Sequence, residues 1–343
     1  MTGRERTLAA LRRQPTGRPA ADFWAEDATL NRLFAYLGHS DLERFLDDMR
    51  VDIRAFNARE PAPVEIGGGV FQNIWGERFV YRQTEWGPFR EDMPGALSGA
   101  GSLDEIAAFP WPCNDLLDYS ALYENCRLAR EKGLAVRYGF ADVWQRPSLV
   151  RGMEKFLADM IENPENARYL SKVFTDFYAE DFKRAWEASR GQIDIFFAIS
   201  DVGTQTGPMI SPSMFEEFVA PYLKELADLV HGFGAALMYH SCGDVSAFLP
   251  SIIACGADIL NPIQPAGPNM SPERLKKYAD RLCFHGGIDV QRLLPSGTAG
   301  EIRAEARRYA EILGPGYIMC SAHLLQPDTP PENIAALYEA FDR

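Results

Sequence analysis

The chain has 343 residues, of which 46% are hydrophobic and 24% charged, a composition that is typical of a folded protein and excludes wholesale disorder. Its 35 basic and 48 acidic residues leave a formal net charge of −13, so we expect neither nucleic acid nor a membrane surface as a partner. Six widely spaced cysteines are too few for a disulfide framework, and they favour a soluble, cytoplasmic protein.

The first hundred residues differ in pattern from the rest of the chain. The N-terminus predicts a short amphipathic helix that stops at Pro15 and Gly17. We assign residues 1–60 to an N-terminal helical extension. Residues 61–100 are rich in aromatic side chains interleaved with glycine and proline, which indicates a β-hairpin or a long loop.

Short apolar runs alternate with helical segments through the remainder. The runs cover 135–140, 193–201, 235–242, 258–262, 282–289 and 316–323. Between them, residues 214–233 and 301–313 carry one apolar stripe of helical period, and Ser271 followed by Pro272 suits a helix start. Strands that are apolar on both faces predict a parallel sheet.

This alternation predicts an α/β fold. A TIM-type (β/α)8 barrel needs about 250 residues, which leaves room for the N-terminal extension in a single domain of residues 1–343. A doubly wound sheet is the rival, but its glycine-rich dinucleotide motif is missing from the sequence. In the barrel, segment 61–100 lies over the mouth or packs as ordinary core.

The polar residues at the strand ends are the candidates for chemistry, because β/α barrels place reactive groups there. His240 and Cys242 are two positions apart on one predicted strand, so their side chains share a face and supply two corners of a tetrahedral zinc site. The third ligand must come from another strand, and Cys320 and His323 both end the last one. A buried polar pair without metal is the alternative.

Other strand-end residues have structural explanations as well. Asp201 and Asp289 suit helix N-caps, and Gln264 suits a residue that ties down a proline-flanked loop. His285 either points into the barrel or packs against it. The remaining four cysteines are typical of small buried hydrophobic residues.

The chain resembles the uroporphyrinogen decarboxylase superfamily along nearly its whole length. The stretches that carry the resemblance are Arg151-Gly152-Met153-Glu154, Asn163-Pro164-Glu165, Ser211-Pro212 through Pro221-Tyr222, His240-Ser241-Cys242-Gly243, Asn261-Pro262-Ile263-Gln264-Pro265, Gly286-Gly287-Ile288-Asp289 and Gln326-Pro327-Asp328-Thr329-Pro330-Pro331-Glu332. Members of this superfamily are single-domain β/α barrels. The resemblance therefore implies the same fold as the pattern of strands and helices.

The decarboxylase branch of the superfamily removes carboxyl groups from a porphyrinogen without a cofactor. It uses an N-terminal arginine-containing motif and an aspartate in a Phe-Ser-Asp motif. The comparable segments here are Phe23-Trp24-Ala25-Glu26 and Phe56-Asn57-Ala58, without the arginine pair or the aspartate. Motif loss and the net charge of −13 both argue against this branch.

The other branch comprises zinc-dependent methyltransferases that act with corrinoid proteins and carry His-x-Cys with a distant third cysteine. His240 and Cys242 match the first two ligands, and the position of the third falls on His323, with Cys320 in reserve. The resemblance implies protein-bound Zn²⁺ and cobalamin carried by a partner protein. It leaves open a homodimer.

The resulting hypothesis is a methyltransferase that moves a methyl group between a small methylated substrate or thiol and a corrinoid protein. Asp201, Tyr239, Gln264 and Asp289 are expected to line the pocket as catalytic residues, and the aromatic segment is expected to accept a small aromatic substrate. A cofactor-free decarboxylase and a non-catalytic corrinoid or small-molecule binding protein are the alternatives.

Overall fold

Eight parallel strands form a nearly closed barrel in the computed structural model, which describes residues 1–341. Around the barrel they follow the order β1-β12-β11-β10-β9-β8-β7-β2. Their bounds are β1 Ala20–Ala21, β2 Ile53–Phe56, β7 Ala135–Asp142, β8 Ile195–Ile199, β9 Ala236–His240, β10 Ile259–Ile263, β11 Cys283–Ile288 and β12 Tyr317–Ser321. The predicted (β/α)8 barrel is thereby confirmed.

Four further strands form a separate antiparallel sheet in the order β3-β4-β5-β6. They are β3 Val64–Gly67, β4 Val70–Gln72, β5 Arg78–Thr84 and β6 Gly87–Met93. We call this sheet the aromatic meander. It occupies the segment 61–100 and is larger than the single hairpin expected there.

Fifteen α-helices are described in residues 1–341, together with four short 3₁₀ turns. The helices are α1 Gly3–Leu11, α2 Asp27–Leu37, α3 Leu42–Asp48, α4 Leu103–Ala107, α5 Leu122–Glu131, α6 Gln145–Arg151, α7 Met153–Glu162, α8 Pro164–Ala188, α9 Pro212–Phe218, α10 Ala220–Gly232, α11 Leu249–Ala254, α12 Pro272–Leu275, α13 Leu293–Ser296, α14 Ala299–Leu313 and α15 Pro331–Tyr338. Within the described range, none combines the length and the apolar character needed to cross a membrane.

The N-terminal segment 1–60 differs from the expected extension. It contains helices α1 to α3, but it also supplies the first two barrel strands, β1 and β2. These strands have two and four residues, too few for a hydrophobic pattern to distinguish them from loops. The barrel is completed between them, where the Asp52 amide donates to the Ala21 carbonyl at 2.8 Å.

The helix predicted over 214–233 is divided into α9 and α10. Val219 leaves the helical conformation with φ −122° and ψ −51°, and Pro221 follows inside the first turn of α10. Proline has no amide hydrogen and is best accommodated in a first turn, so a new helix starts there. The predicted helix at 301–313 is confirmed as α14, which begins with a capping box of Thr298 and Glu301.

The aromatic meander lies at the rim of the barrel mouth. At one end, Glu77 lies 3.6 Å from Arg146 Nε on α6, the helix that follows β7. At the other end, the guanidinium of Arg32 on α2, which follows β1, lies 5.1 Å from the centre of the Trp86 ring. The meander therefore reaches across the rim beside β2.

Candidate metal centre at the barrel mouth

The interior of the barrel is built in layers, because alternate residues of each strand point inward. The lower layer is an apolar cluster that includes Ala135, Ile195, Met238, Ile259, Cys283 and Ile318. Two residues further along β9, β10 and β11, the inward positions are His240, Asn261 and His285. Polar side chains therefore lie directly above an apolar floor, on the side towards the carboxyl ends of the strands.

Asp201, His240 and Cys242 form a compact cluster above this floor. Their candidate ligand atoms all lie within 4.8 Å of one another. His240 Nε2 is 3.5 Å from Cys242 Sγ and 3.4 Å from Asp201 Oδ1. Asp201 also accepts a hydrogen bond from the Cys242 amide at 2.8 Å, which fixes the carboxylate against β9. The pair predicted from sequence spacing thus has an aspartate as its direct neighbour.

The cluster favours a negatively charged thiolate. Burial by itself raises the pKa of Cys242, but hydrogen bonds from His240 and His323 lower it to about 7. Burial lowers the pKa of His240, but Asp201 and Cys242 outweigh that effect and raise it to about 10. Because a thiolate is a far better nucleophile and metal ligand than a thiol, Cys242 is chemically prepared for either role.

A second polar arrangement continues from His240 through the barrel interior. Nδ1 of His240 faces Oδ1 of Asn261, and Nδ2 of Asn261 lies 2.6 Å from Nδ1 of His285. Nε2 of His285 is 3.1 Å from Asp22 Oδ2, and the same oxygen is 3.4 Å from Arg137 Nε. All of these side chains are buried. We call Asn261, His285, Asp22 and Arg137 the interior polar chain.

Trp24 packs among the histidines at the mouth. Its ring centre lies 5.8 Å from that of His240, 6.0 Å from that of His285 and 6.1 Å from that of His323. Its indole nitrogen is buried and has no hydrogen-bond partner in the described part of the chain. Phe197 packs edge-on against the same ring, so two aromatic rings lie beside the cluster at the bottom of the mouth; we call them the aromatic base.

A cavity of about 610 Å³ opens beside Cys242. Cys242, His323 and Gln264 line it, together with the loop that follows β8. Oε1 of Gln264 accepts the Gly243 amide hydrogen, so this side chain shapes the backbone next to Cys242. The structure therefore brings His240, Cys242, Asp201, His323 and Gln264 to one place, of which His323 contacts Cys242.

Two expected pocket residues lie elsewhere. Tyr239 does not face the cavity, contrary to prediction. Adjacent residues of a strand point to opposite faces, so Tyr239, next to the inward-facing His240, points towards the helices. Its hydroxyl donates to the Ser200 carbonyl at 3.2 Å. Asp289 accepts from the Gln291 amide at 2.8 Å and lines a neighbouring cavity. It is not the helix N-cap expected as the structural alternative, because α13 begins after Arg292 and the Asp289 carboxylate instead holds the loop before it.

Cys320 is fully buried in the barrel wall. Its Sγ lies 3.8 Å from Ser321 Oγ, and burial together with the charge of Asp22 raises its pKa. A thiol in such surroundings is a poor source of thiolate. His323, in contrast, is half-buried and borders the cavity beside Cys242.

Sequence reasoning missed the interior polar chain and Trp24. Asn261 and His285 carried a usable signal, since each follows an inward apolar residue by two positions, as His240 follows Met238. Asp22 and Trp24 carried none, because β1 has only two residues and offers no periodicity.

The aromatic residues of the meander pack mainly with each other and with α8. Phe71, Phe79 and Tyr81 form one group with ring centres 5.3–6.0 Å apart. Trp75 is fully buried and stacks on Phe174 at 4.7 Å. The aromatic base of the mouth instead includes Trp24 and Phe197.

Comparison with known proteins places these residues in a family context. The family model described as uroporphyrinogen decarboxylase (URO-D) matches residues 141–343. Methylcobamide:CoM methyltransferase MtaA of Methanosarcina barkeri is 30% identical over 138 residues, which are 39% of this chain and 38% of that protein. Uroporphyrinogen decarboxylase of Syntrophotalea carbinolica is 26% identical over 186 residues, 54% of this chain and 50% of that protein.

These alignments span only half or less of each curated relative. A solved structure of a methyltransferase from Methanosarcina mazei covers 100% of this chain and 98% of its own, with a TM-score of 0.70 and 18% identity. At that identity the likeness establishes the shared fold. Relatives of the chain therefore include both methyltransferases and decarboxylases.

Proposed function

The chain belongs to the uroporphyrinogen decarboxylase family, its relatives there are enzymes, and we propose that it is a methyltransferase. The reaction is transfer of a methyl group between a small methylated substrate or thiol and the cobalamin of a separate corrinoid protein. The observation that carries this proposal is the cluster of Asp201, His240 and Cys242 at the barrel mouth.

The donor atoms of this cluster suit Zn²⁺. Nitrogen and oxygen ligands lie about 2.0 Å and sulfur about 2.3 Å from zinc, so at tetrahedral angles two such ligand atoms are roughly 3.3–3.6 Å apart. The distances from His240 Nε2 to Cys242 Sγ and to Asp201 Oδ1 are 3.5 Å and 3.4 Å. Both distances match the spacing of ligands around zinc. If the substrate displaces Asp201 from the metal, we propose His323 as the third protein ligand.

The chemistry that zinc supplies when bound is activation of a coordinated thiol as its thiolate at neutral pH. The chain contributes the rest. Asp201 holds the Cys242 amide, and Gln264 holds the Gly243 amide, so the backbone around the thiolate is fixed from two sides. Trp24 packs against the rings of His240 and His323, with Phe197 edge-on to it, and so provides an apolar side to the cluster.

The proposed methyl partner approaches from the open mouth. The cavity beside Cys242 is about 610 Å³, which suits a small substrate. A cobalamin, far larger than this cavity, must therefore stay on its carrier protein and present its methyl group from outside. The methyltransferase relative named for methylcobamide supports this choice of donor.

The decarboxylase relatives make carboxyl removal the second candidate. Ala58 stands where the decarboxylase motif has its aspartate, and its methyl side chain can neither carry a charge nor transfer a proton. This replacement weighs against the candidate. Turnover of uroporphyrinogen without metal or corrinoid would favour it over methyl transfer.

The test combines metal analysis with methyl transfer. Protein purified from zinc-replete cells is expected to contain about one zinc per chain and to transfer methyl groups from methylcobalamin to members of a thiol panel. Cys242→Ser and His323→Ala are expected to lose zinc and activity, whereas Cys320→Ala and the exposed-thiol control Cys113→Ser keep both. Zinc-free wild-type protein, or variants that keep their zinc, would contradict the proposal. Tight ligand binding with all variants fully competent would identify a carrier instead.

A further inference from the structure

We propose that the interior polar chain fixes the orientation and tautomer of His240, so that Nδ1 keeps its proton and Nε2 faces Asp201 and Cys242. Asn261, His285 and Asp22 are positioning residues in this proposal, because they act on the cluster only through His240. The role of this arrangement, to present Nε2 of His240 to a metal, rests on the proposed function.

The direction of the hydrogen bonds is set at the far end of the chain. The Asp22 carboxylate is buried, and although burial raises its pKa, Arg137 and His285 bring it below the ordinary value. An ionised carboxylate only accepts hydrogen bonds. Nε2 of His285, 3.1 Å away, must therefore be the donor.

The remaining partners then have one consistent arrangement. A neutral histidine carries one N–H, so His285 with a proton on Nε2 has an acceptor at Nδ1. Nδ2 of Asn261 lies 2.6 Å from that atom and donates to it. The amide oxygen of Asn261 is left to accept, and the group that faces it is Nδ1 of His240. His240 therefore donates its Nδ1–H to Asn261 of the interior polar chain, and its Nε2 faces Asp201 and Cys242.

Burial enforces this direction of the hydrogen bonds from His240 to Asn261 and from Asn261 to His285. Asn261 and His285 are each 1% exposed, so water cannot replace a lost partner. The opposite tautomer of His240 would set a bare nitrogen against the Asn261 oxygen, and two acceptors would face each other without a proton. A ligating histidine commonly donates its other N–H to a neighbouring group that fixes its ring and tautomer.

The neutral amide next to His240 is significant for charge. A carboxylate at position 261 would add a negative charge beside Cys242 and Asp201, which already supply two. The negative charge of Asp22 lies one histidine further away and is shared with Arg137. The interior polar chain thus orients the His240 ring without adding to the negative charge of the cluster.

The first test reads protonation directly on the wild-type protein. Histidine ¹⁵N NMR, with His240 and His285 assigned through single-site variants, is expected to show that His240 has its only proton on Nδ1 in the zinc-loaded sample. His285 is expected to carry its only proton on Nε2. A protonated Nδ1 on His285, or an unprotonated Nδ1 on His240, would overturn the proposal.

The second test removes the link. Asn261→Leu is expected to weaken zinc binding about 10–100-fold in chelator competition, the usual effect of losing such a supporting contact. Asn261→Asp, which keeps an acceptor for Nδ1, is expected to bind zinc more tightly than Asn261→Leu. The spectrum of bound Co²⁺ should change in the leucine variant and be restored in the aspartate variant, a response that loss of stability alone would not produce.

His231→Ala is the matched control. His231 also pairs with an aspartate, Asp258 at 2.9 Å, but on the outside of the barrel, and its loss should leave zinc affinity unchanged. A folded Asn261→Leu variant with wild-type affinity would contradict the proposal. If that variant does not fold, the ¹⁵N result on the wild type decides. If the wild type binds no zinc, the proposed function fails, while the position of the single proton on His285 in metal-free protein still tests the interior polar chain.

Discussion

Two histidine–aspartate pairs lie inside the same barrel, and their electrostatics are opposite. His240 lies 3.4 Å from Asp201 at the mouth, and its pKa is raised to about 10. His285 lies 3.1 Å from Asp22 deeper inside, and burial lowers its pKa despite the carboxylate. The same two residue types thus favour a charged imidazole in one place and a neutral one in the other.

The third partner of each pair explains the difference. Asp22 also contacts Arg137, whose positive charge lowers the pKa of His285. Asp201 is joined instead by Cys242, whose negative charge adds to the stabilisation of the imidazolium. The inner pair is therefore a neutral histidine in a structural array, and the outer pair is a charged site open to ligands. A histidine beside an aspartate does not by itself indicate a role.

The largest expected effect concerns folding stability. Asp22→Leu should lower the free energy of unfolding by about 3–5 kcal/mol, because it leaves Arg137 buried without its partner. Asp201→Leu should cost about 1 kcal/mol, since the Asp201 side chain is 23% exposed and water can replace some of its contacts. Urea unfolding of the metal-free proteins measures both. Equal losses would remove the distinction between the two pairs.

The next effect concerns the reactivity of Cys242. In metal-free protein on a Cys113→Ser background, alkylation of Cys242 should increase with pH and reach half its maximum near pH 7, because the thiolate reacts and its pKa is about 7. His240→Ala should move this midpoint upwards by removing the positive charge that stabilises the thiolate. His231→Ala is the control and should leave it in place. A midpoint that does not respond to loss of His240 would show that the outer pair is not coupled to the thiol.

The smallest effect concerns the residue next to His240 on the same strand. Tyr239→Phe should lower the free energy of unfolding by about 1 kcal/mol, the value of the hydrogen bond to the Ser200 carbonyl, and leave zinc affinity unchanged. Chemical unfolding and chelator competition test the two parts. A large loss of zinc affinity would mean that Tyr239 contributes to the mouth after all.

Much of the barrel could be predicted because its central strands are long enough to show a pattern. Strands β7 to β12 each have five to eight residues and apolar sequences, and the spacing of His240 and Cys242 placed both on the inner face. The same alternation argues against Tyr239, its immediate neighbour. The split of α9 from α10 was equally readable from Pro221.

The cluster's third member was less accessible. Asp201 has two local explanations, a helix cap or a catalytic group, and its sequence position cannot decide between them. Only the parallel pairing of β8 with β9, which sets Ile199 beside His240, brings Asp201 to the Cys242 amide. In the same way, Trp24 and Asp22 reach the interior because β1 pairs with β12 at the far end of the chain.

The amino-acid sequence by itself determined the fold class, the inward face that carries His240 and Cys242, and the family. These depend on periodicity and local motifs, which are properties of consecutive residues. Closure of the barrel decided which residues meet across it: Asp201 with His240, His285 with Asp22, and Trp24 with three histidines. Those contacts join residues that are 39 to 299 positions apart, and only tertiary packing can set their distances.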